Sequence, residues 1–523
     1  MNQGGTAIYS SLTELIDCSV EDFLFPPEQE KEENNMKILP EFQDVKKIAA
    51  TGLYNIVPVS TEILSDVRTP IETMKVLKSI STHCYMLESV AENEKWGRYT
   101  FLGFDPKTSV TVNDGKMRIG DVSIETNDPN RYLRQILSEY KSPKLSYLPP
   151  FTGGLVGYFS YDYIYYSEPK AKVDTVDEEG FKDIDLMLFD KVIAFDNYAQ
   201  KIIIIANMSL DDLEVGYNKA ILEIKRIADL IINGKADGEH KGRLLDEPKP
   251  LFEKERFMEM VESGKHYIHE GDIFQIVLSN RLSAPFEGSL LDTYRYLRTI
   301  NPSPYMFYFS GTDVEVAGAS PETLVSLKNG VLHTFPLAGT RPRGRTEAED
   351  LALERDLLRD EKELAEHNML VDLGRNDLGK VSKFGTVEVE KLHSIERFSH
   401  VMHIGSTIRG QIREDKDALD AISAVLPAGT LSGAPKIRAC TLIGELENNK
   451  RGIYGGAIGY IDFSGNMDTC IAIRIAYKKN GKVFIRSGAG IVADSDPEKE
   501  YIETINKAKA VVNALKAAQE DDI

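Results

Sequence analysis

The sequence predicts an α+β protein built on large, mostly antiparallel sheets with flanking helices. Three observations carry that prediction. Residues 47–210 are rich in strand-sized runs, residues 251–518 mix long helical stretches with further strands, and no repeat of 20–50 residues organises either block. In the first block the strand-like runs are 84–87, 98–102, 109–112 and 186–189. The turn signal Asn113-Asp114-Gly115 closes a hairpin after the third of these. Helices are expected at 128–141 and 211–233. In the second block they are expected at 252–270, 350–375, 415–425 and 497–518, with strands at 304–310, 322–328, 453–463, 469–477 and 482–487.

Residues 1–35 end in an acidic, proline-containing stretch and read as a flexible N-terminal extension. Residues 36–234 form the expected N-terminal domain. Residues 235–250, polar and punctuated by glycine and proline, read as a linker. Residues 251–523 form the expected C-terminal domain.

Composition narrows the function. A chain of 523 residues can bury a large core without metal or disulfide staples. Its formal net charge of −20 repels phosphate backbones and acidic lipid, which argues against nucleic-acid and membrane-surface binding. The four cysteines (Cys18, Cys84, Cys440, Cys470) are scattered, with no C-x-x-C pair, as expected in a reducing compartment. The N-terminus lacks the basic-then-apolar pattern of a secretory signal, and no apolar run approaches the roughly 18 residues of a membrane span. A cytoplasmic protein is expected.

Two helical stretches place carboxylates three apart, hence on one face. One pair is Glu363 and Glu366; the other is Glu500 and Glu503. Two such faces opposed could anchor Mg²⁺, a hard cation that keeps several waters; on its own, the pattern is also that of an ordinary solvated helix face. The string Ala428-Gly429-Thr430-Leu431-Ser432-Gly433-Ala434-Pro435-Lys436 fails as a P-loop, because no Gly-Lys-Ser/Thr follows. Ser487-Gly488-Ala489-Gly490 lacks the third glycine of a dinucleotide fingerprint. Both read as tight turns whose N–H groups could meet a carboxylate. There is no H-E-x-x-H, no G-x-S-x-G and no Cys-His-Glu set. His400 and His403, three apart, face opposite ways on a strand.

Taken in order, a series of strings is specific. It runs Gly318-Ala319-Ser320-Pro321-Glu322, Pro336-Leu337-Ala338-Gly339-Thr340-Arg341-Pro342, Val371-Asp372-Leu373-Gly374-Arg375-Asn376-Asp377, then 427–438, Tyr454-Gly455-Gly456, Gly488-Ala489-Gly490 and 500–507. The series resembles the chorismate-utilising enzymes over about 45–515, and within them the large subunits of the anthranilate-forming branch. The resemblance implies layered sheets and helices with the active site in the C-terminal block. It implies Mg²⁺ ligands at Glu366 and Glu503, with Glu363 and Glu500 holding the metal's waters. Chorismate contacts fall on Gly339, Thr340, Tyr454, Arg474, Gly488, Ala489, Gly490 and Lys507. The proton-handling residues are His403 and Glu322. The implied reaction joins ammonia to chorismate and yields anthranilate and pyruvate.

Two positions separate the branches of this family. Aminodeoxychorismate-forming relatives carry a lysine nucleophile where this chain has Ala338, and isochorismate- and salicylate-forming relatives carry a basic lysine where it has Gln275. Alanine offers no nucleophile, and an amide is no general base for water, so ammonia is the expected nucleophile. No Gly-x-Cys-x-Gly glutaminase string is present. Ammonia is therefore expected from a separate glutamine amidotransferase subunit, in a heterotetramer.

The same resemblance places a feedback site for L-tryptophan on Glu88 and Ser89, paired with Pro304, Tyr305 and Met306. Val90 and the following Ala91-Glu92-Asn93 carry no interpretable pattern. The alternative readings are aminodeoxychorismate or isochorismate synthesis and, from another class, a tryptophan-binding regulator without catalysis.

Overall fold

The computed structural model describes residues 36–89, 97–236, 238, 241–398 and 401–520. The expected extension 1–35, the run Val90-Ala91-Glu92-Asn93, His400, and positions 237, 239 and 240 of the expected linker lie outside the described residues. Two large sheets dominate, and every ladder between their named strands is antiparallel. The first sheet runs Ile56–Leu64, Lys201–Ser209, Lys191–Asp196, Tyr99–Phe104, Cys84–Glu88, Tyr305–Ser310, Glu315–Ser320, Ile475–Lys479, Lys482–Ile491, Gln275–Glu287 and Arg243–Leu244. The second runs Leu337–Pro342, Val401–Gln411, Val331–Thr334, Thr323–Lys328, Met467–Ile471, Ala457–Asp462, Gly154–Phe159, Ile184–Phe189, Thr108–Asn113, Lys116–Ile119 and Val122–Glu125.

An aromatic core lies where the two sheets face each other. Phe101, Ile203, Phe307, Tyr477 and Phe484 of the first sheet pack with Val156, Tyr158, Met187 and Phe189 of the second. Helices cover the outer faces. Glu361–Gly379 and Ala418–Val425 pack on the second sheet, and Leu213–Asn233, Lys254–His269 and Pro497–Glu520 on the first. Among the described residues no helix is long and apolar enough to cross a membrane.

Each sheet joins one block of strands from before 235–250 to one block from after it, with Cys84–Glu88 against Tyr305–Ser310 in the first sheet and Gly154–Phe159 against Ala457–Asp462 in the second, and residues Ile38–Ile523 form one compact unit. The stretch read as a linker itself supplies two short strands, Arg243–Leu244 and Lys249–Pro250, that pair with Gln275–Glu287. The Asn113-Asp114-Gly115 hairpin forms between Thr108–Asn113 and Lys116–Ile119.

Three expectations change in detail. The helix expected at 350–375 is two helices, Glu347–Leu357 and Glu361–Gly379. The break falls where the Asp360 side chain accepts from the Lys362 and Glu363 N–H groups and so starts a new helix. The strand expected at 469–477 is two strands in different sheets, Met467–Ile471 and Ile475–Lys479, with Arg474 (φ +53°) at the crossing. Gly488-Ala489-Gly490, expected as a tight turn, is straight strand within Lys482–Ile491, opposite Ser279, Leu278 and Val277.

Candidate active site

The chain passes directly from one sheet to the other at two neighbouring places. Glu322 sits in the connection between Glu315–Ser320 and Thr323–Lys328, and Arg474 in the connection between Met467–Ile471 and Ile475–Lys479. Both face a cavity of about 430 Å³, within the usual range for small-molecule sites. The cavity gathers Glu363, Glu366, Glu500, Glu503, His403, Gly339, Thr340, Tyr454, Gly488, Gly490 and Lys507 as well. Ala489 is the exception among the expected contacts. Strand alternation turns its side chain into the core with Ile276 and Leu278, so only its backbone lies near the cavity.

Burial raises the Glu322 pKa to about 8, although Thr430 donates to its Oε1 at 3.1 Å, the Leu337 N–H also donates, and Arg474 pulls the other way. At neutral pH this carboxyl therefore carries a proton. His403 is the complementary group. Its Nδ1 lies 2.8 Å from the Gly339 carbonyl oxygen and 3.1 Å from Thr340 Oγ1. A carbonyl only accepts, so Nδ1 is assigned the hydrogen and Nε2 is left as the bare acceptor. Burial lowers the pKa of this ring and favours the neutral form. Gly339 makes the arrangement possible. The ladder shifts register between Ala338 and Thr340, and Gly339 at the shift has φ +67°, a conformation that favours glycine.

The carboxylates come from two helices, Glu361–Gly379 and Pro497–Glu520. Burial raises the Glu363 pKa and the nearby Glu366 charge raises it further, against Arg341 3.5 Å away. Burial likewise raises that of Glu500; Ser495 opposes by hydrogen bonding and the Glu503 charge adds to the rise. Lys507 meets Glu503 at 2.7 Å and donates to the Gly488 carbonyl at 2.9 Å. Among the described residues no three His, Cys, Asp or Glu side chains stand close enough to hold a metal by themselves. Opposed pairs of mutually repelling carboxylates do suit a cation that takes one ligand from each helix and completes its shell with water.

Glycine keeps the floor of the cavity clear. A Cβ at Gly490 would lie 2.7 Å from the Gln275 amide nitrogen. That nitrogen donates to Glu366 Oε1 at 3.2 Å, so the branch-separating glutamine touches an expected metal ligand directly.

A second, smaller cavity is lined by Glu88, Ser89, Pro304, Tyr305 and Met306, the expected effector residues, with Tyr460 and Asp468. Strand pairing brings the two segments together, with Met306 opposite Glu88. Tyr294 donates to buried Glu88, as does Arg298 at 3.0 Å. Tyr305 donates to Asp468 at 2.8 Å and bonds Thr323 at 2.9 Å, next to Glu322.

The model of the chorismate-binding enzymes matches residues 82–513. Anthranilate synthase component 1 of Acetivibrio thermocellus is 46% identical over 92% of this chain and 99% of its own. The protein of the same name from Aquifex aeolicus is 44% identical over 91% and 98%. The chain belongs to the chorismate-binding enzymes. Among solved structures, anthranilate synthase component I of Streptococcus pneumoniae superposes with a TM-score of 0.70 at 38% identity, covering 86% of this chain and all but 1% of that one (99%). The menaquinone-specific isochorismate synthase of Escherichia coli shares the fold at 19% identity, with a TM-score of 0.67 over 91% and 98% of the two chains.

Some working parts of this chorismate-binding enzyme escape sequence reading. Thr430, which hydrogen-bonds Glu322, and Asn301, which accepts from Arg474 at 3.2 Å, act across more than a hundred residues each. Behind the cavity, Glu447 binds Arg451 and, at 2.7 Å, Arg486; all three are buried. Arg451 also donates to the carbonyls of Leu431 and Val277, both at 2.7 Å, so it ties the Thr430 loop to the strand Gln275–Glu287. The i, i+4 spacing of Glu447 and Arg451 is visible in the sequence. Their burial is not.

Proposed function

We propose that this chain is the chorismate-binding component of an anthranilate synthase, converting chorismate and ammonia to anthranilate and pyruvate, the first committed step of tryptophan biosynthesis. One observation carries the reading: Glu322, whose pKa burial raises to about 8, and His403, whose pKa burial lowers, line the same cavity as the two carboxylate pairs. Ala338 and Gln275 favour ammonia as the nucleophile over a lysine adduct or added water.

Chorismate is a dianion, and a chain of net charge −20 must meet it with local positive charge. Arg474, donating through two N–H groups, holds the pyruvyl carboxylate. Lys507 and the strand at Gly488–Gly490 bound the other side. Glu366 and Glu503 would hold Mg²⁺, with Glu363 and Glu500 on its waters; a cation bound there would supply charge neutralisation for the ring carboxylate.

Hydroxide is a poor leaving group, so loss of the ring hydroxyl needs a proton donor. Glu322 fills that role because burial keeps its proton on at neutral pH. His403, with Nε2 bare, is placed to accept a proton, and Gly339 holds its ring in that tautomer. Tyr454 and the glycine floor shape the space around the ring.

Ammonia comes from a glutamine amidotransferase partner, in a heterotetramer, and L-tryptophan inhibits by binding the Ser89 cavity. Cys440 and Cys470 are free and buried, which suits work in the cytoplasm. The test is anthranilate fluorescence from chorismate, ammonium and Mg²⁺. Folded protein that stays silent under every ammonia source removes the reading. Aminodeoxychorismate or isochorismate on product chromatography replaces it with a sister activity.

A further inference from the structure

Glu322, Leu370 and Thr430 line the main cavity, and the same three residues also line a smaller recess. Glu322 thus forms part of the wall between the two. The recess offers about 30 Å³, enough for one or two water molecules, since about 10–15 Å³ holds one. Its remaining wall includes Thr323, Thr334 and Asp377. Thr334 donates to the Leu324 carbonyl at 2.8 Å, which leaves its oxygen able to accept. Asp377 is held by Lys436 at 2.6 Å and Lys380 at 3.2 Å, so it stands as a charged acceptor. A buried water needs two to four polar partners, and this recess provides them; an apolar void of the same size stays dry.

The inference rests on the reaction proposed above. There, Glu322 passes its proton to the ring hydroxyl oxygen. The C–O bond breaks with its electron pair on that oxygen, and water departs. Ammonia's lone pair forms the C–N bond, and the proton its nitrogen then sheds restores Glu322, so no further reagent is consumed. Substrate occupies the main cavity on one side of the acid while this happens, and a molecule of water is produced at the acid. We propose that the recess behind Glu322 is the site that receives this product water.

The test is Ala428→Val, which adds bulk to the recess at a residue that does not line the main cavity. Anthranilate formation is expected to lose at least tenfold in kcat, with KM for chorismate and for ammonium each within twofold of the parent. An unchanged kcat overturns the proposal. A raised KM for ammonium with kcat preserved also overturns it, because the recess would then be an entrance for ammonia. The parent enzyme in the same assay reports separately on the proposed reaction. A crystal structure of the parent gives a readout that does not depend on the variant folding: an ordered water bonded to Glu322 and to Thr334 or Asp377 is expected, and a dry recess overturns the assignment.

Discussion

The two cavities share neighbouring strands but hold their buried glutamates differently. The main one lies where the chain leaves one sheet for the other, and its chemistry comes from side chains whose charge states burial has shifted. The smaller one is walled by paired strands, its residues fixed by register; burial raises the pKa of its Glu88 too, but Arg298 and Tyr294 hold that carboxyl and oppose the rise. A site for chemistry tolerates perturbed protonation, because an acid must keep a proton it will give away. At the proposed effector site the buried carboxyl is instead paired with an arginine before any ligand arrives.

That contrast can be broken by substitution. Glu322→Gln should lower anthranilate formation by about a hundredfold or more, the scale of a lost general acid, while tryptophan affinity by calorimetry stays unchanged. A parallel loss of both would mean that the cavities are not separable. Glu503→Gln should cost about tenfold or more at limiting Mg²⁺ and little at saturating Mg²⁺; metal dependence like that of the parent takes Glu503 off the cation. Ser89→Phe fills the smaller cavity and should raise the tryptophan concentration for half-inhibition at least tenfold with modest change in turnover. Unaltered inhibition would place the effector elsewhere.

The pH dependence sharpens the same comparison. Glu322 is protonated below about 8 and loses its proton as the pH rises through that value. Rates expressed per free ammonia should therefore fall above about pH 8, whereas tryptophan binding should not. Folding follows the same sign. A pKa raised from 4.5 to about 8 contributes stability that is complete below 4.5 and fades as the pH climbs through the interval. Denaturant midpoints of Glu322→Gln should lack that fade. The smallest expected effect is Tyr305→Phe, which loses the hydroxyl bonds to Asp468 and Thr323 and should cost about 1 kcal/mol in urea unfolding.

What could be read from the chain alone follows from which forces are local. The 113–115 hairpin and the helix Leu213–Asn233 were legible because turn chemistry and apolar period lie within a short window. The split at Asp360 was hidden because helical periodicity continues on either side of a cap. The change of sheet at Arg474 was hidden because both flanks are apolar strands and periodicity does not say which sheet a strand joins. The carboxylate pairs announced themselves through i, i+3 spacing, and the ordered strings placed them. The Thr430 bond to Glu322 and the Arg486 bond to Glu447 are long-range and left no local trace. The Ala489 orientation follows from alternation once the segment is known to be strand rather than turn.

The pairing of Gln275–Glu287 with Lys482–Ile491 has a consequence for how this molecule is made. During translation the earlier strand emerges about 200 residues before its partner, and such distant closure is slow. Until Pro497–Glu520 has emerged, Glu363 and Glu366 lack the second carboxylate pair and the face of Lys482–Ile491 that this helix covers stays bare. A stop between Lys482–Ile491 and this helix would thus yield a chain with most of its core but only one of the two carboxylate pairs, and aggregation rather than a weakened enzyme is the natural fate of that product.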